Sequence, residues 1–212
     1  MRMVLTRTWF VGAPLFCAAI PLFCIPAADW LAVSSHGNSG FLNISLFFVF
    51  VALAAFLTFI ISLVGLAFVS IRRFSALLAL CSAAYLVALF VSNHVGERIR
   101  MEAFHQLAER SQPLVGAIRA FEQKNGHPPE SLRALVPEFI PSVPNTGMAA
   151  YPDYDYLAPA TNWNGNPWVL RVSTSVGVLN WDQFMYLPLT NYPASGYGGS
   201  LERVGDWAYV HE

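Results

Sequence analysis

Oxygen-bearing side chains are concentrated between residues 153 and 166 of the chain. Asp153 and Asp155 are followed by asparagines at alternate positions, namely Asn162, Asn164 and Asn166. Carboxylate and amide oxygens are the ligands that Ca²⁺ prefers. Asp153, Asp155, Asn162 and Asn164 therefore form a candidate calcium site. The preferred interpretation is simpler: these side chains cap turns in two loops.

Aromatic side chains are dense in the last third of the chain. Residues 151–212 contain four Trp, seven Tyr and one Phe. Exposed indole rings stack on sugars and on peptides, so Trp163, Trp168 and Trp181 are candidate ligand-binding residues for a carbohydrate or a cell-wall component. A small sheet also needs large aromatic side chains for its core, and strands favour them. Packing is the preferred interpretation, and ligand binding is the alternative.

The sequence contains no residue pattern that supports catalysis. Residues 97–212 have no cysteine, and the motifs Gly-x-Ser-x-Gly and His-Glu-x-x-His are absent. His105, His127 and His211 are far apart along the chain. There is neither a phosphate-binding glycine loop nor a run of basic residues. We predict a protein that is not an enzyme and binds neither nucleotide nor nucleic acid, with Ca²⁺ as the only candidate cofactor.

The two parts of the chain differ in charge. Charged residues make up 12% of the whole, about half the share in an ordinary soluble domain. Residues 1–96 carry four arginines and one acid, Asp29, whereas residues 97–212 carry eight basic and twelve acidic residues. This change predicts a three-helix transmembrane region at residues 1–96 and a soluble domain at residues 97–212.

Three apolar segments are long enough to cross a membrane, which takes about 20 residues in a helix. They run from Thr8 to about Val33, from Phe41 to Ile71 and from Phe74 to about Val95. Backbone groups in lipid must be hydrogen-bonded within the segment, so all three are predicted to be helices. The first segment is interrupted by three prolines: Pro14, Pro21 and Pro26. All cysteines of the chain lie in these segments and are expected to pack as small apolar residues: Cys17, Cys24 and Cys81.

The basic residues beside these segments predict the orientation. Arg2 and Arg7 precede the first segment, Arg72 and Arg73 form a turn between the second and the third, and the loop Ser34–Gly40 has no basic residue. Lys and Arg are enriched in cytoplasmic loops. The N-terminus is therefore predicted to be cytoplasmic. The chain is then a multi-pass protein of the bacterial cytoplasmic (inner) membrane, with its C-terminal domain on the periplasmic or extracellular side.

The first segment has a second interpretation as a cleaved signal peptide, because it has a basic start, an apolar stretch and Ala27-Ala28 near its end. Ile25 fits such a cleavage site poorly, so a retained span is preferred. Asp29 and His94 lie at predicted span ends. Both are expected to be solvated rather than functional groups within the membrane.

The soluble half is predicted to contain helices followed by strands. The helical pattern of the third segment continues to Lys124, with Pro113 expected to kink or restart it and Asn125-Gly126 to end it. Residues 130–136 predict a short second helix. Beyond Ala150 the pattern has period two, which predicts three or four short antiparallel strands separated by turns at Asn164-Gly165, Gly177 and Gly198-Gly199. The predicted fold class is an α-helical membrane anchor with a small α+β domain.

Residues 114–137 resemble the soluble part of type IV pilins, and more closely that of the major pseudopilins of type II secretion. The likeness lies in a helix that ends with residues 117–126, followed by a proline and then residues 130–137. The resemblance implies that a membrane helix continues into an amphipathic helix, followed by a short loop helix and a small antiparallel sheet packed on the long helix. It also implies a calcium site in a loop near the sheet.

The third segment departs from that family pattern. It lacks the leader, the cleavage-site glycine and the glutamate that serves filament assembly. We therefore expect a fixed membrane component with a pilin-like domain, neither processed nor polymerised. The predicted function is that of a non-enzymatic accessory or interaction subunit of a secretion-system-like envelope complex, in contact with membrane lipid and with other membrane or envelope proteins. The alternative is a carbohydrate or cell-wall ligand-binding module that uses exposed aromatic residues.

Overall fold

The computed structural model describes residues 7–175 and 180–211. Arg2, on which the predicted orientation partly depends, and Gly177, a predicted turn residue, lie outside the described residues. The chain divides into two compact units. The helical unit comprises Met1–Leu31 and Gly40–Arg100, and the sheet unit comprises Ala32–Ser39 and Met101–Glu212.

Three long helices supply the helical unit: α1 (Arg7–Val33), α2 (Leu42–Gly65) and α3 (Arg72–Arg110). A short 3₁₀ turn, Ser39–Phe41, precedes α2. Each of the three is long and apolar enough to cross a membrane, which confirms the three predicted apolar helices. α1 remains helical through all of its prolines. Apolar helices tolerate proline where neighbouring groups satisfy the freed backbone carbonyls.

The basic pair between α2 and α3 differs from the predicted turn. Arg72 and Arg73 are the first two residues of α3, and residues 66–71 form the connection. The Arg72 Nε donates a hydrogen bond to the carbonyl oxygen of Leu66 at 3.0 Å. This guanidinium therefore satisfies one of the carbonyls that the end of a helix leaves without a partner.

A small apolar cluster joins the three helices of the helical unit. Ile25 of α1, Phe48 of α2 and Tyr85 of α3 are all buried in it. The hydroxyl of Tyr85 donates to the carbonyl oxygen of Phe48 at 3.0 Å. The tyrosine can be buried here because its one polar atom has a partner.

The two ionisable residues at the predicted span ends behave differently. His94 lies 3.4 Å from Glu97, and both side chains are exposed, as expected of a solvated helix end. Asp29 is only 7% exposed, so the expectation of a solvated end is wrong for this residue. A Cβ atom added to Gly96 of α3 would collide with the Asp29 carboxylate. The missing side chain of Gly96 thus provides the space that Asp29 occupies.

The long third helix ends at Arg110, and α4 (Gln112–Asn125) begins after a single residue. That residue, Ser111, is buried and donates its hydroxyl to the carbonyl of Leu107 at 2.6 Å. Pro113 follows at the start of α4, where its missing N–H interrupts no hydrogen bond within the helix. The predicted restart of the helix at Pro113 is confirmed.

The end of α4 is also as predicted. Gly126 has a φ of 76°, in the left-handed region, and its amide donates to the carbonyl of Glu122 at 2.8 Å. Glycine adopts this conformation without steric cost, which makes it a common residue after the end of a helix. The predicted short second helix is present as a 3₁₀ turn, Leu132–Leu135.

Within the described residues, the sheet unit contains one antiparallel sheet of six strands in the order β1-β2-β3-β6-β5-β4. The mixed α+β composition is confirmed, but the predicted count of three or four strands is too low. The strands are β1 (Asp155–Leu157), β2 (Val169–Ser173), β3 (Gln183–Tyr186), β4 (Ser195–Gly196), β5 (Gly199–Val204) and β6 (Trp207–His211).

Two tight hairpins account for the additional strands. Residues 202–212 predict one final strand, but the chain turns at Gly205, so that Val204 pairs with Trp207. Gly205 has a φ of 60°, which a two-residue hairpin turn of this kind requires. A second turn, Tyr197-Gly198, connects β4 to β5. It begins one residue before the predicted turn at Gly198-Gly199, because Gly199 is the first residue of β5.

The helices cover one face of the sheet. The ring of Phe104, near the end of α3, stacks on that of Phe184 in β3 with 5.1 Å between centroids. Arg119 of α4 donates a hydrogen bond to the hydroxyl of Tyr186. The end of α3 and helix α4 therefore pack on the sheet, an arrangement that the pilin-like resemblance implies.

Two loops cover the opposite face of the sheet. Four residues from the strands and the chain just after β3 are buried there: Val169, Met185, Leu187 and Val210. Partly buried side chains from β1, β5 and the loops pack against them, among them Trp163, Tyr192 and Tyr197. We call this the loop-covered face, and it carries the candidate site.

Candidate ligand-binding site

The strand register brings polar side chains together on the loop-covered face. Asp155 is paired with Arg171, Ser173 with Gln183, and Gln183 with Val210. Because alternate residues of a strand point to the same face, these side chains, together with the apolar Val210, lie on one face of the sheet across four strands. They are the floor of a groove with a volume of about 260 Å³. Its walls are Trp181, Tyr197 and Gly198.

A charged pair occupies the floor of the groove. The Nε of Arg171 lies 3.4 Å from Oδ2 of Asp155, and Nη1 of Arg171 donates to Oε1 of Gln183 at 3.4 Å. Both distances are long for groups of this kind. Among the described residues, Nε of Arg171 has no hydrogen-bond partner. A guanidinium has five N–H donors. The Nε of Arg171 is buried, but the side chain as a whole is 34% exposed, so a ligand can use only the donors on its other two nitrogens.

Trp181 is the most exposed large side chain of the groove. It is 65% exposed and precedes β3 by one residue, Asp182. Asp182 is buried, and its carboxylate accepts a hydrogen bond from the hydroxyl of Tyr209 at 2.5 Å. The backbone next to Trp181 is therefore held in the core, while the indole ring stays at the surface.

Tyr197 forms the opposite wall. Its ring stacks on Trp163, with 4.7 Å between centroids and 15° between planes. Its carbonyl oxygen accepts a hydrogen bond from Nε2 of Gln183 at 2.9 Å. Its hydroxyl is buried and has no partner in the described part of the chain. Burial raises the pKa of Tyr197, so the hydroxyl stays protonated at neutral pH.

The three tryptophans singled out from the sequence have different environments. Trp181 lines the groove directly, and Trp163 supports Tyr197 from behind. Trp168 is completely buried, and its Nε1 donates to the carboxylate of Glu122 at 3.3 Å. A ligand cannot reach this ring, and we exclude Trp168 from the site.

The asparagines of the candidate calcium site hold two loops together. Asn164 and Asn191 exchange side-chain to backbone hydrogen bonds of 3.1 and 2.8 Å. The side chain of Asn166 bonds to the carbonyl of Trp163, to the side chain of Asn191 and to the amide of Leu189. Asn162 and Asn164 have left-handed backbones, with φ of 68° and 49°, which asparagine tolerates in turns.

The two aspartates of that candidate site lie apart from this loop network. Asp153 is exposed, and Asp155 pairs with Arg171 in the groove. Within residues 7–175 and 180–211, no group of three or more His, Cys, Asp or Glu is arranged to hold a metal ion. Calcium binding by Asp153, Asp155, Asn162 and Asn164 stays a prediction, and the hydrogen bonds favour the turn interpretation for the asparagines.

Four residues that line the groove are not among the site residues predicted from the sequence: Arg171, Ser173, Gln183 and Tyr197. The sequence of β2 does contain a pattern that indicates two of them, because Arg171 and Ser173 alternate with the buried Leu170 and Val172. Polar residues at every second position indicate one face of a strand that is not fully packed. For Gln183 and Tyr197 no local pattern exists, because only the long-range register brings them to the same groove.

Comparison with known proteins gives no match: no protein family, no curated protein and no solved structure matches the chain. The pilin-like resemblance therefore depends on residues 114–137 and on the order of the elements.

Proposed function

We propose that this chain is a non-enzymatic protein of the bacterial cytoplasmic membrane that holds a ligand-binding domain on the periplasmic or extracellular side. One observation carries the proposal: the groove of the sheet unit combines an exposed indole, Trp181, with the partly exposed polar side chains of Arg171 and Asp155. Concave sites with a few convergent polar groups are where proteins bind small ligands.

The exposed residues of the sheet unit favour ligand binding in the groove, rather than docking of a protein on a flat apolar patch. Among its described residues, the only large hydrophobic side chains that are exposed are Trp181 and Leu189. Surfaces that bind proteins through hydrophobic contacts expose contiguous apolar patches. Two isolated side chains do not form such a patch, and one of them belongs to the groove.

The membrane location and the orientation are part of the same proposal. Three helices of sufficient length and hydropathy support an integral membrane protein. The arginines at residues 7, 72 and 73 favour a cytoplasmic N-terminus. Fusing a reporter that is active only outside the cytoplasm after residue 211, and in a second chain after residue 68, checks the orientation. Activity of the second fusion alone would contradict it.

An accessory role in an envelope complex is compatible with this activity and is the second candidate. What supports it is the element order of a long helix, a short helix and an antiparallel sheet packed on the long helix, which the pilin-like family shares. Purification of the full chain from membranes in mild detergent tests this role. We expect stoichiometric envelope proteins to co-purify, and a monomer without partners would contradict it.

Ligand binding is tested by immobilising the full-length protein in mild detergent and passing solubilised envelope material over it. Four proteins are compared: the wild type, Trp181→Ala, Arg171→Gln and the control Leu189→Ala. We expect a component that the wild type and the control retain and that both groove variants lose. If all four proteins retain the same material, or none retains any, the groove is not a binding site.

A further inference from the structure

We propose that the groove recognises a neutral saccharide, with Trp181 as the stacking platform and the Arg171–Asp155 pair as the hydrogen-bonding partner of adjacent hydroxyl groups. This inference rests on the proposed binding function and specifies its ligand class. It starts from the indole. Trp181 is 65% exposed at the rim of the groove. One face of a pyranose ring consists of C–H groups and can cover such an apolar surface.

The polar floor of the groove suits a diol better than an ion. Arg171 offers only donors, Asp155 offers only acceptors, and the two side chains lie 3.4 Å apart. Each hydroxyl of a sugar both donates and accepts, so two adjacent hydroxyls can accept from the guanidinium and donate to the carboxylate. A ligand that is wholly donor or wholly acceptor would leave one of the two residues without a new partner.

The net charge of the groove floor also favours a neutral ligand. Arg171 and Asp155 balance each other, and the other residues of the groove are uncharged. An anionic ligand would be attracted by Arg171 and repelled by Asp155 at nearly the same distance. A cationic ligand would be attracted by Asp155 and repelled by Arg171. A neutral polyhydroxylated ligand meets neither repulsion. The repulsion of charged ligands therefore makes the groove specific for neutral ones.

The size of the groove limits the ligand. A volume of about 260 Å³ lies just below the range of roughly 300–1,000 Å³ that holds drug-sized molecules. One or two sugar residues therefore fill it, either alone or as part of a longer chain that leaves through the open side. The ring of Tyr197, which stacks on Trp163, forms one wall of this space.

A peptide is the main competing ligand. An extended peptide would gain most by adding to a free sheet edge, where it continues the backbone ladder. The edges of this sheet are β1 and β4. The groove includes Asp155 of the edge strand β1, but it is lined by side chains on the face of the sheet, from β1, β2, β3 and β6. Face binding offers a peptide no ladder, so the observations favour the saccharide.

Intrinsic fluorescence and ligand-observed NMR test the inference on the full-length protein, in a detergent without a sugar head group. The probes are three neutral disaccharides (cellobiose, maltose and the N-acetylglucosamine dimer), one uronic-acid disaccharide and trialanine. We expect at least one neutral disaccharide to bind at millimolar concentrations or below. Trp181→Ala should weaken that binding by about tenfold or more, as loss of a central tryptophan does at other binding sites. Leu189→Ala should leave it unchanged.

A separate experiment tests whether the Arg171–Asp155 pair makes the groove prefer neutral ligands. Asp155→Asn leaves the charge of Arg171 unbalanced, so the variant should gain affinity for the uronic-acid disaccharide relative to the neutral one. The wild type should show the opposite preference. An unchanged preference would overturn the role of the Arg171–Asp155 pair.

The remaining outcomes separate the two proposals. If only trialanine binds, or only the acidic saccharide, and Trp181→Ala abolishes that binding, the neutral saccharide class is wrong and the binding function stands. If no disaccharide binds at millimolar concentration, the saccharide assignment is overturned. If, in addition, envelope material yields no component whose retention depends on Trp181, both proposals fall.

Discussion

In the helical unit the large apolar side chains of α1, α2 and the first part of α3 mostly point outward, whereas in the sheet unit they are buried. Phe16, Phe50 and Leu53 are exposed to more than half. In the sheet unit Trp168, Phe184 and Trp207 have no exposed surface at all. Burial of apolar surface drives folding in water. The contrast matches three helices that are long and apolar enough to cross a membrane and a sheet unit that buries its own apolar core.

The side-chain hydrogen bonds of the two units also differ, with the bond from Tyr85 to Phe48 in the helical unit as an exception. In the helical unit, Ser62 and Ser92 donate to carbonyls one turn back in their own helix, at 2.6 and 2.7 Å. In the sheet unit, polar side chains bond across long sequence distances, as between Asn166 and Asn191 or between Tyr209 and Asp182. Local bonds satisfy a group wherever the helix lies. The long-range bonds fix loops and strands against each other, which the groove requires.

If this contrast is correct, a Phe→Ala substitution should destabilise the sheet unit strongly and the helical unit only slightly. Phe184→Ala removes a fully buried ring that stacks on Phe104 and Trp207. We expect it to lower the free energy of unfolding of the sheet unit by about 3–5 kcal/mol. Phe50→Ala, in an exposed position of α2, should change the stability of the purified protein far less.

Near-UV circular dichroism of both variants during thermal unfolding in detergent measures this difference. The aromatic signal of the sheet unit should melt at a clearly lower temperature in Phe184→Ala only. Equal destabilisation by the two substitutions would mean that α2 packs against protein rather than against lipid or detergent, and the contrast would fail.

A charge placed in two leucine positions of matched exposure sharpens the comparison further. Leu53, in the middle of α2, is 58% exposed, and Leu189 of the sheet unit is 55% exposed. An arginine at the centre of a membrane span costs about 2.5–3.5 kcal/mol of insertion free energy. An arginine on a water-exposed surface usually changes stability by less than about 0.5 kcal/mol.

Alkaline carbonate extraction of membranes from cells that express each variant distinguishes these outcomes. We expect a larger extractable or degraded fraction of Leu53→Arg and a wild-type distribution of Leu189→Arg. Normal membrane retention of Leu53→Arg would indicate that the exposed face of α2 meets water or a polar partner instead of lipid.

The parts of the structure that can be predicted from sequence are those that depend on local pattern. The apolar helices are found by hydropathy, because a span needs only a run of about 20 apolar residues. The restart at Pro113 and the end at Gly126 follow from residue chemistry within one turn. Trp168 and Trp181, by contrast, are equivalent by composition. One is in the core and the other in the groove because of strand pairing, which joins residues distant in sequence.

Asp29 shows the same limit inside the helical unit. Its position beside Trp30 at a span end suggests solvation, but Gly96, distant in the chain, leaves the space that buries its carboxylate. Similarly, Arg171 and Ser173 are detectable as polar residues that alternate along β2. Their grouping with Gln183 and Tyr197 requires the register of three more strands. The fold class can therefore be predicted from the sequence, whereas the set of residues that form the candidate site cannot.

The smallest expected effects concern one glycine in each unit. An alanine at position 96 would place its Cβ against the Asp29 carboxylate, and forcing an extra methyl into a packed contact costs about 1–3 kcal/mol. An alanine at position 116 on the exposed side of α4 meets no atom within 4 Å. Its higher helix propensity should stabilise α4 by up to about 1 kcal/mol. Gly96→Ala and Gly116→Ala should therefore act in opposite directions.

Hydrogen exchange followed by mass spectrometry reads α3 and α4 separately, because each yields its own peptides. Protection of α3 around position 96 should fall in Gly96→Ala, and protection of α4 should rise in Gly116→Ala. Combining Asp29→Ala with Gly96→Ala removes the colliding carboxylate, so the double variant should recover part of the protection that Gly96→Ala loses, a non-additive result that contact predicts. Strict additivity of the two substitutions would mean that Asp29 and Gly96 do not touch, and the buried position of Asp29 would have to be abandoned.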